Sequence, residues 1–281
     1  LRWRRASAVA TEALRQTPSA LAAFEGALLD ALCRRSRLSL WDFFGGADPE
    51  LVSDITIPTG SPEHARDSAE RAVRAGFTTL KVKVGGSSAA LHDHQRLSAI
   101  LAAAPNAKLV LDANASLRAA EALALLEGLG QHKKQVVLFE QPTGKLDLDG
   151  LRQVREQGGV PVAADESACS AADVSRLIAA RAVDAINVKT MKCGLVEAMN
   201  MIAVARGAGL ELMIGGMVES KLSMTVSACL AAGSGGFSFV DLDTPWFMKD
   251  APLEGGWLEQ GPTLRLDEIR SGHGVTCRLR D

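Results

Sequence analysis

The 281-residue sequence has no excess of charge of either sign. Its 31 Lys and Arg residues and 33 Asp and Glu residues leave a formal net charge of -2. A chain so close to neutrality has no basic field to attract nucleic acid, so we expect no nucleic-acid partner. The sequence also lacks an apolar run of about 18 residues and the hydrophobic segment of a Sec-type signal peptide, so we expect no membrane insertion.

Cysteine is scarce, and its spacing forms neither a disulfide framework nor a CxxC motif. The five cysteines are Cys33, Cys169, Cys193, Cys229 and Cys277. This pattern is typical of reduced thiols in an intracellular protein and predicts a cytoplasmic location. An organelle-targeting peptide upstream of the first residue remains an open alternative. The glycine pairs mark turns, and none of them opens a phosphate-binding loop.

Five reactive side chains lie at nearly regular intervals in the middle of the chain. They are 29, 28, 25 and 24 positions apart, and each stands where an apolar, β-rich run ends: Lys83, Asp112, Glu140, Asp165 and Lys189. One strand, one loop and one helix fill such an interval, so the spacing predicts repeated βα units. Each unit carries one reactive side chain at the carboxyl end of its strand, which is where parallel barrels build their active sites.

Eight strands can be counted in the sequence, which is the number that closes a barrel of this kind. They are predicted at residues 55–59, 79–84, 109–112, 136–140, 161–165, 185–189, 211–214 and 237–242. Ala-rich helices are predicted between them at residues 63–75, 91–104, 117–129, 171–180, 195–207 and 221–232. Apolar strands that alternate with amphipathic helices indicate a parallel sheet covered on its outer face. We therefore predict an α/β protein with a (β/α)7β TIM-like barrel over residues 51–250.

The same count predicts how the reactive residues are arranged. In a ring of eight, the second and sixth strands are opposite, so Lys83 and Lys189 should face each other across the barrel mouth. Asp112, Glu140 and Asp165 end the three strands between them. Three carboxylates this close would repel one another unless a cation offset their charge. A ligand set without His or Cys favours Mg²⁺ over zinc, with Mn²⁺ as a substitute.

A divalent cation held in this way would act as a Lewis acid on a substrate carboxylate, so that the neighbouring carbon loses its proton more easily. Lys83 and Lys189 then supply a base on one face of that carbon and an acid on the other. Lys81 lies on the same side of the strand as Lys83, and its like charge favours the neutral, basic form of that amine. Asn114 and Gln141 are expected to orient the neighbouring acids. The alternative is that each lysine only forms an ion pair with these acids and has no catalytic role.

Seven short motifs, taken in this order, resemble those of the enolase superfamily in its muconate-lactonizing subgroup. They are Lys81–Lys83, Asp112–Asn114, Glu140–Pro142, Ala164–Ser167, Asn187–Lys189, Met191–Gly194 and Met217–Ser220. The resemblance extends over most of the chain and implies one Mg²⁺ per active site, held by Asp112, Glu140 and Asp165. It also implies two catalytic lysines, Lys83 and Lys189, assisted by Lys81, a small-molecule substrate and a homo-oligomer.

A pair of aspartates selects one reaction within this subgroup. Asp241 and Asp243 end the eighth predicted strand and are expected to point into the barrel mouth. They resemble the DxD motif with which dipeptide epimerases hold the substrate ammonium group, although a surface Asp pair is the alternative. The resemblance thus implies a Mg²⁺-dependent epimerase that inverts the α-carbon of the C-terminal residue of an L-Ala-D/L-Glu type dipeptide by two-base 1,1-proton transfer.

Other functions remain open at this point. Within the subgroup they are N-succinylamino acid racemase, o-succinylbenzoate synthase and muconate-type cycloisomerase, and outside it a truncated, catalytically silent metal-binding protein.

Four further residues are candidates for substrate binding. Thr56 and Thr59 lie on the first predicted strand, where similar epimerases have a substrate-contacting Thr, with turn capping as an equal alternative. Glu219 and Ser220 follow the seventh predicted strand and would line the pocket.

The two ends of the chain are predicted to form a cap. Residues 1–50 contain a helix at 19–34 that resembles the last helix of a capping α+β domain, and residues 251–281 are expected to return to that cap. The strands and mobile loop that precede this helix in similar proteins are missing, so we expect a fragment or a shortened chain. In similar proteins that loop sets side-chain specificity. The preference for an acidic substrate side chain is therefore what the resemblance implies, and no residue of this sequence indicates it.

Overall fold

A computed structural model describes residues 2–86, 89–248 and 252–277. Its strands are β1 Glu50–Val52, β2 Ile55–Ile57, β3 Thr79–Lys83, β4 Lys108–Asp112, β5 Val136–Glu140, β6 Val162–Ala164, β7 Ala185–Val188, β8 Glu211–Gly215, β9 Phe239–Asp241, β10 Leu253–Gly255, β11 Leu258–Gln260, β12 Thr263–Arg265 and β13 Val275–Cys277. The predicted boundary at residues 250 and 251 and the last four residues lie outside the described residues.

Helices connect these strands and also precede them. They are α1 Trp3–Leu14, α2 Pro18–Ser36, α3 Leu40–Phe43, α4 Pro62–Arg74, α5 Ala89–Ala103, α6 Ala119–Gly128, α7 Leu148–Gly158, α8 Ala171–Ala180, α9 Thr190–Cys193, α10 Leu195–Gly207, α11 Lys221–Ser234 and α12 Thr244–Phe247. A 3₁₀ segment covers Gly130–Gln135. Among the described residues, no helix combines the length and the apolar character that crossing a bilayer requires.

The principal sheet consists of eight parallel strands in the part of the chain that the structure describes. Its order is β2 to β9, so each strand is hydrogen-bonded to the one that follows it in the sequence. Every residue of β6 and β7 is buried, as expected for strands that are covered on both faces. The sequential, parallel order is that of a TIM-like barrel, which confirms the predicted fold class.

The ends of the predicted strands shift by a few residues. Because Pro58 has no backbone N–H to continue the ladder, β2 ends at Ile57. Thr59 therefore lies in an exposed bend beyond the strand, and the prediction that places it on the strand is wrong. Asp165 and Lys189 each lie one residue beyond the last residue of β6 and β7.

The first compact unit comprises Asp54–Asn187 and Val204–Glu211, and it contains β2 to β6, β7 except its last residue, and α4 to α8. The helix α4 illustrates how its helices pack. Ala65, Ala69 and Ala72 recur at helical spacing and are buried, which forms a stripe of small side chains on one face. The Ser61 hydroxyl accepts the His64 N–H at 3.2 Å, which fixes the start of the helix.

The second compact unit comprises Leu1–Ser53, Val188–Ala203 and Leu212–Asp281. In this unit the C-terminal segment contacts the N-terminal helices. The strand β12 pairs antiparallel with both β1 and β11. The Leu40 N–H donates to the Gly272 carbonyl at 2.7 Å. Arg34 of α2 donates to the Val275 carbonyl at 3.4 Å, so backbone and side-chain hydrogen bonds both hold this segment.

His273 packs against α2 in its neutral form. Its Nδ1 accepts the Val275 N–H at 3.0 Å, and its Nε2 lies 3.5 Å from the Asp30 carboxylate. Burial lowers the pKa of His273 below its ordinary value, Asp30 opposes that effect, and Arg34 adds to it. Protonation of this ring therefore disfavours the folded state.

We expect His273 to reduce the stability of the protein as the pH falls. The unfolded ring has an ordinary pKa of about 6.5, so the unfolded chain takes up the proton first. The stability contributed by the neutral ring is present above that pH and lost as the pH falls through the lowered folded pKa. Thermal unfolding between about pH 7.5 and pH 5 should destabilise the wild type more than His273→Gln. An equal loss of stability in both proteins would contradict this assignment.

Candidate active site

The strand register of the first unit brings two predicted acids and one predicted lysine to the same level. Lys83 at the end of β3 is opposite Asp112 at the end of β4, and Asp112 is opposite Glu140 at the end of β5. Glu140 is in turn opposite Ala163 on β6, two residues before Asp165. The parallel register thus places these reactive groups together at the carboxyl edge, as the spacing predicts.

Lys81 is the buried cation of this cluster. Its Nζ lies 3.0 Å from Asp112 Oδ2 and 2.6 Å from Glu140 Oε2. Its side chain is 2% exposed and the two carboxylates are 0% exposed. Two ionised carboxylates buried side by side without a cation would cost several kcal/mol in desolvation and repulsion, so Lys81 offsets part of their charge.

Lys83 makes a different set of contacts. Its Nζ donates to Asp112 Oδ2 at 2.6 Å and to Asn114 Oδ1 at 2.9 Å, while its side chain remains 30% exposed. The buried Arg96 guanidinium donates to the Lys83 carbonyl at 2.8 Å and to the Pro58 carbonyl at 3.1 Å. The backbone of Lys83 is therefore fixed, and its amine is accessible to a small molecule.

The charge of Asp112 is set by competing effects. Burial alone would raise its pKa, but the ammonium groups of Lys81 and Lys83 and the hydrogen bonds it accepts lower the pKa below its ordinary value. One of these hydrogen bonds comes from the Asn114 N–H at 3.0 Å. Asn114 has a φ of 44°, a left-handed conformation that Asn adopts more readily than most residues. Asp112 therefore offers anionic carboxylate oxygens at neutral pH.

Neutral amides hold the other two acids. Asn187 Nδ2 donates to Glu140 Oε1 at 2.7 Å. Gln141 Oε1 accepts the N–H groups of Asp165 at 2.9 Å and Ser167 at 3.0 Å. The side-chain nitrogen of Gln141 also donates to Ser167 Oγ at 2.8 Å. The oxygen and the nitrogen of the Gln141 side chain thus both contact the segment that carries Asp165. Gln141 thus contacts the backbone of Asp165, and its role in orienting that acid stays a prediction.

Sequence reasoning gave no role to Asn187, although a signal was present. Asn187 precedes Lys189 by two positions on an apolar strand, and alternate residues of a strand face the same side. An amide within such a run is a candidate partner for a buried acid.

Lys189 belongs to the second unit and is also buried, at 6% exposure. It is the N-cap residue of the four-residue helix α9, and its backbone is extended with φ of -125° and ψ of 118°. The next residue, Thr190, shares a buried hydrogen bond with Ser227 of α11, with 3.0 Å between the hydroxyl oxygens. The peptide that follows Lys189 is therefore fixed by a side-chain contact.

The two aspartates of the DxD motif are buried together. Asp241 and Asp243 are each 6% exposed, and their carboxylate oxygens lie within 4.8 Å of each other. Asp241 ends β9, but Asp243 has helical backbone angles and begins α12. The pair therefore forms because the chain turns after Leu242, not because strand alternation continues as predicted. The surface alternative is excluded by their burial.

A cleft of about 310 Å³ in the second unit is lined by Glu219 and Ser220. Glu219 is buried and accepts the Met217 N–H at 2.9 Å and the Ser223 hydroxyl. The Ser220 hydroxyl caps α11 by accepting the Ser223 N–H at 3.4 Å. Helix α2 contributes small residues to the same cleft. Of the other substrate candidates, Thr56 lies half-buried on β2.

The sequences similar to this chain include proteins named as dipeptide epimerases. The chain is 45% identical over 273 residues to an aromatic dipeptide epimerase of Herpetosiphon aurantiacus, covering 97% of this chain and 76% of that protein. It is 34% identical over 258 residues to an L-Ala-D/L-Glu epimerase of Thermotoga maritima, covering 92% of this chain and 74% of that protein.

Solved structures also superimpose closely on this chain. A mandelate racemase/muconate lactonizing enzyme of Roseiflexus sp. superimposes with a TM-score of 0.95 at 52% identity, covering 99% of this chain and 79% of that one. A dipeptide epimerase of Enterococcus faecalis complexed with Mg and L-Leu-L-Tyr superimposes with a TM-score of 0.87 at 35% identity, covering 92% and 73%. Residues 64–281 match the family described as Enolase C-terminal domain-like. The resemblance drawn from the motifs is thus confirmed, and the chain belongs to this enolase-related family.

Proposed function

We propose that this chain is a Mg²⁺-dependent dipeptide epimerase that inverts the α-carbon of the C-terminal residue of its substrate. One observation carries the proposal: the partly exposed amine of Lys83 lies against a buried carboxylate cluster that already contains a second ammonium group. Relatives at 45% and 34% identity that are named dipeptide epimerases support the same assignment.

The three proposed metal ligands suit Mg²⁺. Asp112, Glu140 and Asp165 are all buried and offer only oxygen atoms, which is the donor type that Mg²⁺ prefers. Asn187 donates to the Glu140 carboxylate, as hydrogen-bond partners of metal ligands do, and Gln141 holds the backbone N–H of Asp165. When bound, the cation would supply Lewis acidity toward a substrate carboxylate. We extend the proposal to Mn²⁺ as a substitute, because it accepts the same ligands.

Lys83 and Lys189 are the proposed acid–base pair. Lys83 ends the second strand of the eight-stranded barrel and Lys189 follows the sixth, and strands four apart in such a ring are opposite. One lysine, as a neutral amine, removes the α-proton, and the other, as an ammonium group, returns a proton to the opposite face. Lys81 stays charged between its carboxylates and contributes a fixed positive potential where negative charge develops.

Asp241 and Asp243 are the proposed site for the substrate ammonium group. Two carboxylates this close and this buried are stabilised by a cation, whereas an acylated amine would meet uncompensated charge. Glu219, Ser220 and Thr56 are proposed as further substrate contacts. Thr59, in the exposed bend after β2, is proposed as a contact at the edge of the site.

The organisation of the protein beyond the site is also a proposal. We propose a cap at residues 1–50, a barrel at residues 51–250 and a returning segment at residues 251–281, and we propose a homo-oligomer as the assembly.

We expect Lys83→Ala and Lys189→Ala each to abolish epimerisation, with losses of at least about 100-fold, because each variant lacks the acid or base for one face. Exchange of the α-proton with D₂O should survive for one enantiomer in each variant, and for opposite enantiomers in the two. Mass spectrometry of each separated enantiomer measures this. Full epimerase activity in Lys189→Ala would exclude the two-base mechanism.

Removal of the divalent cation with EDTA should reduce activity at least about 100-fold, and Mg²⁺ should restore it. Asp112→Asn should weaken Mg²⁺ binding, as measured by calorimetry, because a neutral amide replaces an anionic ligand. Asp149→Asn is the matched control, since Asp149 is an exposed acid of the same unit. Equal Mg²⁺ affinity in Asp112→Asn and the control would argue against the ligand assignment.

Asp241→Asn and Asp243→Asn should each raise KM for a dipeptide by about 10-fold or more, because a buried ammonium–carboxylate pair loses its charge. Turnover of an N-succinylamino acid should not decline in the same variants. Steady-state kinetics with both substrates separates the two outcomes. Dipeptide turnover that is insensitive to both substitutions would favour the racemase alternative.

A further inference from the structure

Glu25 is a buried carboxylate that the proposed mechanism does not use. It lies in α2, is 2% exposed, and accepts a hydrogen bond from the Ser7 hydroxyl of α1. Its Oε2 also accepts the N–H groups of Leu195 at 2.5 Å and Val196 at 3.2 Å. These are the first two residues of α10, so the carboxylate occupies the positive end of that helix, where an anion is most favourable.

The same carboxylate fits closely against the turn that precedes α10. Gly194 has a φ of 84°, and a Cβ atom at this position would lie 2.6 Å from Glu25 Oε2 and 3.0 Å from Leu21. Any other residue would therefore be strained in its backbone and would also clash with the carboxylate. The absence of a side chain at this position allows Glu25 to reach the backbone, and α2 is thereby fixed to the turn.

This turn leads directly to Lys189. Gly194 closes α9 by donating its N–H to the Thr190 carbonyl at 2.8 Å, and the Lys192 N–H donates to the Lys189 carbonyl at 3.0 Å. Helix α9 is thus a rigid four-residue connection with Lys189 at one end and the Glu25 contact at the other. The Thr190–Ser227 hydrogen bond is its second anchor.

The other proposed base depends on different residues. Lys83 is held by Asp112 and Asn114 through its amine and by Arg96 through its carbonyl. None of these contacts involves α2 or α9. A change at Glu25 should therefore affect one half of a two-base reaction and leave the other half intact.

We propose that Glu25 is a positioning residue for Lys189, acting through the backbone of α9 and the start of α10. The proposal rests on the proposed function, because it assumes that Lys189 exchanges a proton with the substrate. Without the negative charge of Glu25, the α10 N-terminus loses its anionic partner and the turn is free to shift. A misplacement of about 1 Å is enough to slow a proton transfer by about 100-fold.

The test measures α-proton exchange in D₂O for each enantiomer of the C-terminal residue separately. The enantiomer whose exchange is lost in Lys189→Ala defines the Lys189-dependent half-reaction. We expect Glu25→Gln to slow that half-reaction by about 10- to 100-fold and to leave the other within about two-fold. Glu25→Asp, which keeps the charge, should recover part of the lost rate.

Ser7→Ala is the matched control, because it removes one hydrogen bond from the same carboxylate but leaves both contacts with α10 in place. Both half-reactions should stay within about two-fold of wild type in this variant. Selective slowing in Ser7→Ala as large as that in Glu25→Gln would overturn the proposal, because the effect would then come from helix packing.

Three outcomes separate the positioning role from the proposed function. If Lys189→Ala leaves both exchange rates intact, the proposed function fails. If Lys189→Ala is selective and Glu25→Gln slows both enantiomers equally or neither, only the positioning role is overturned. If Glu25→Gln shows no cooperative thermal transition, Glu25→Asp takes its place: selective slowing supports the role, and equal or absent slowing overturns it.

Discussion

The contact of the Lys81 ammonium group with two fully buried carboxylates is the interaction on which the site depends. Asp112 and Glu140 are removed from water by the strands that carry them, and such acids are tolerated only with a cation beside them. Losing one partner of a buried ion pair typically costs about 3–5 kcal/mol. The cluster therefore persists although burying its charged groups costs free energy. This is expected at a site where the charges serve catalysis more than stability.

The sheet turns this cluster into a site with distinct roles for similar residues. Lys81 and Lys83 are two positions apart on one strand and both contact Asp112, yet their exposures are 2% and 30%. The buried amine is suited to a permanent positive charge, and the accessible amine to proton transfer. Depth along one strand thus separates two lysines that are chemically identical. Asn187 gives Glu140 a second partner beside Lys81, and Gln141 holds the backbone that carries Asp165.

The residues at the ends of successive strands could be predicted from the sequence. Lys83, Asp112 and Glu140 were predicted to lie together because each ends an apolar run of regular spacing, and parallel register aligns such ends. Features that depend on contacts distant in the sequence could not. Glu25 and Leu195 are 170 positions apart, and nothing near either residue indicates the pairing. The turn at Asp243 and the early end of β2 reflect local backbone geometry that strand alternation does not capture.

In the proposed reaction two different amines serve the two faces of one carbon atom, and this can be examined by isotope transfer in the wild-type protein. A dipeptide of a single configuration is incubated in D₂O with Mg²⁺, and the earliest product is analysed by mass. Two bases predict that the product carries deuterium from its first turnover while the remaining substrate keeps its protium. A product that retains the substrate's own protium would mean that one base acts on both faces, and would contradict the account.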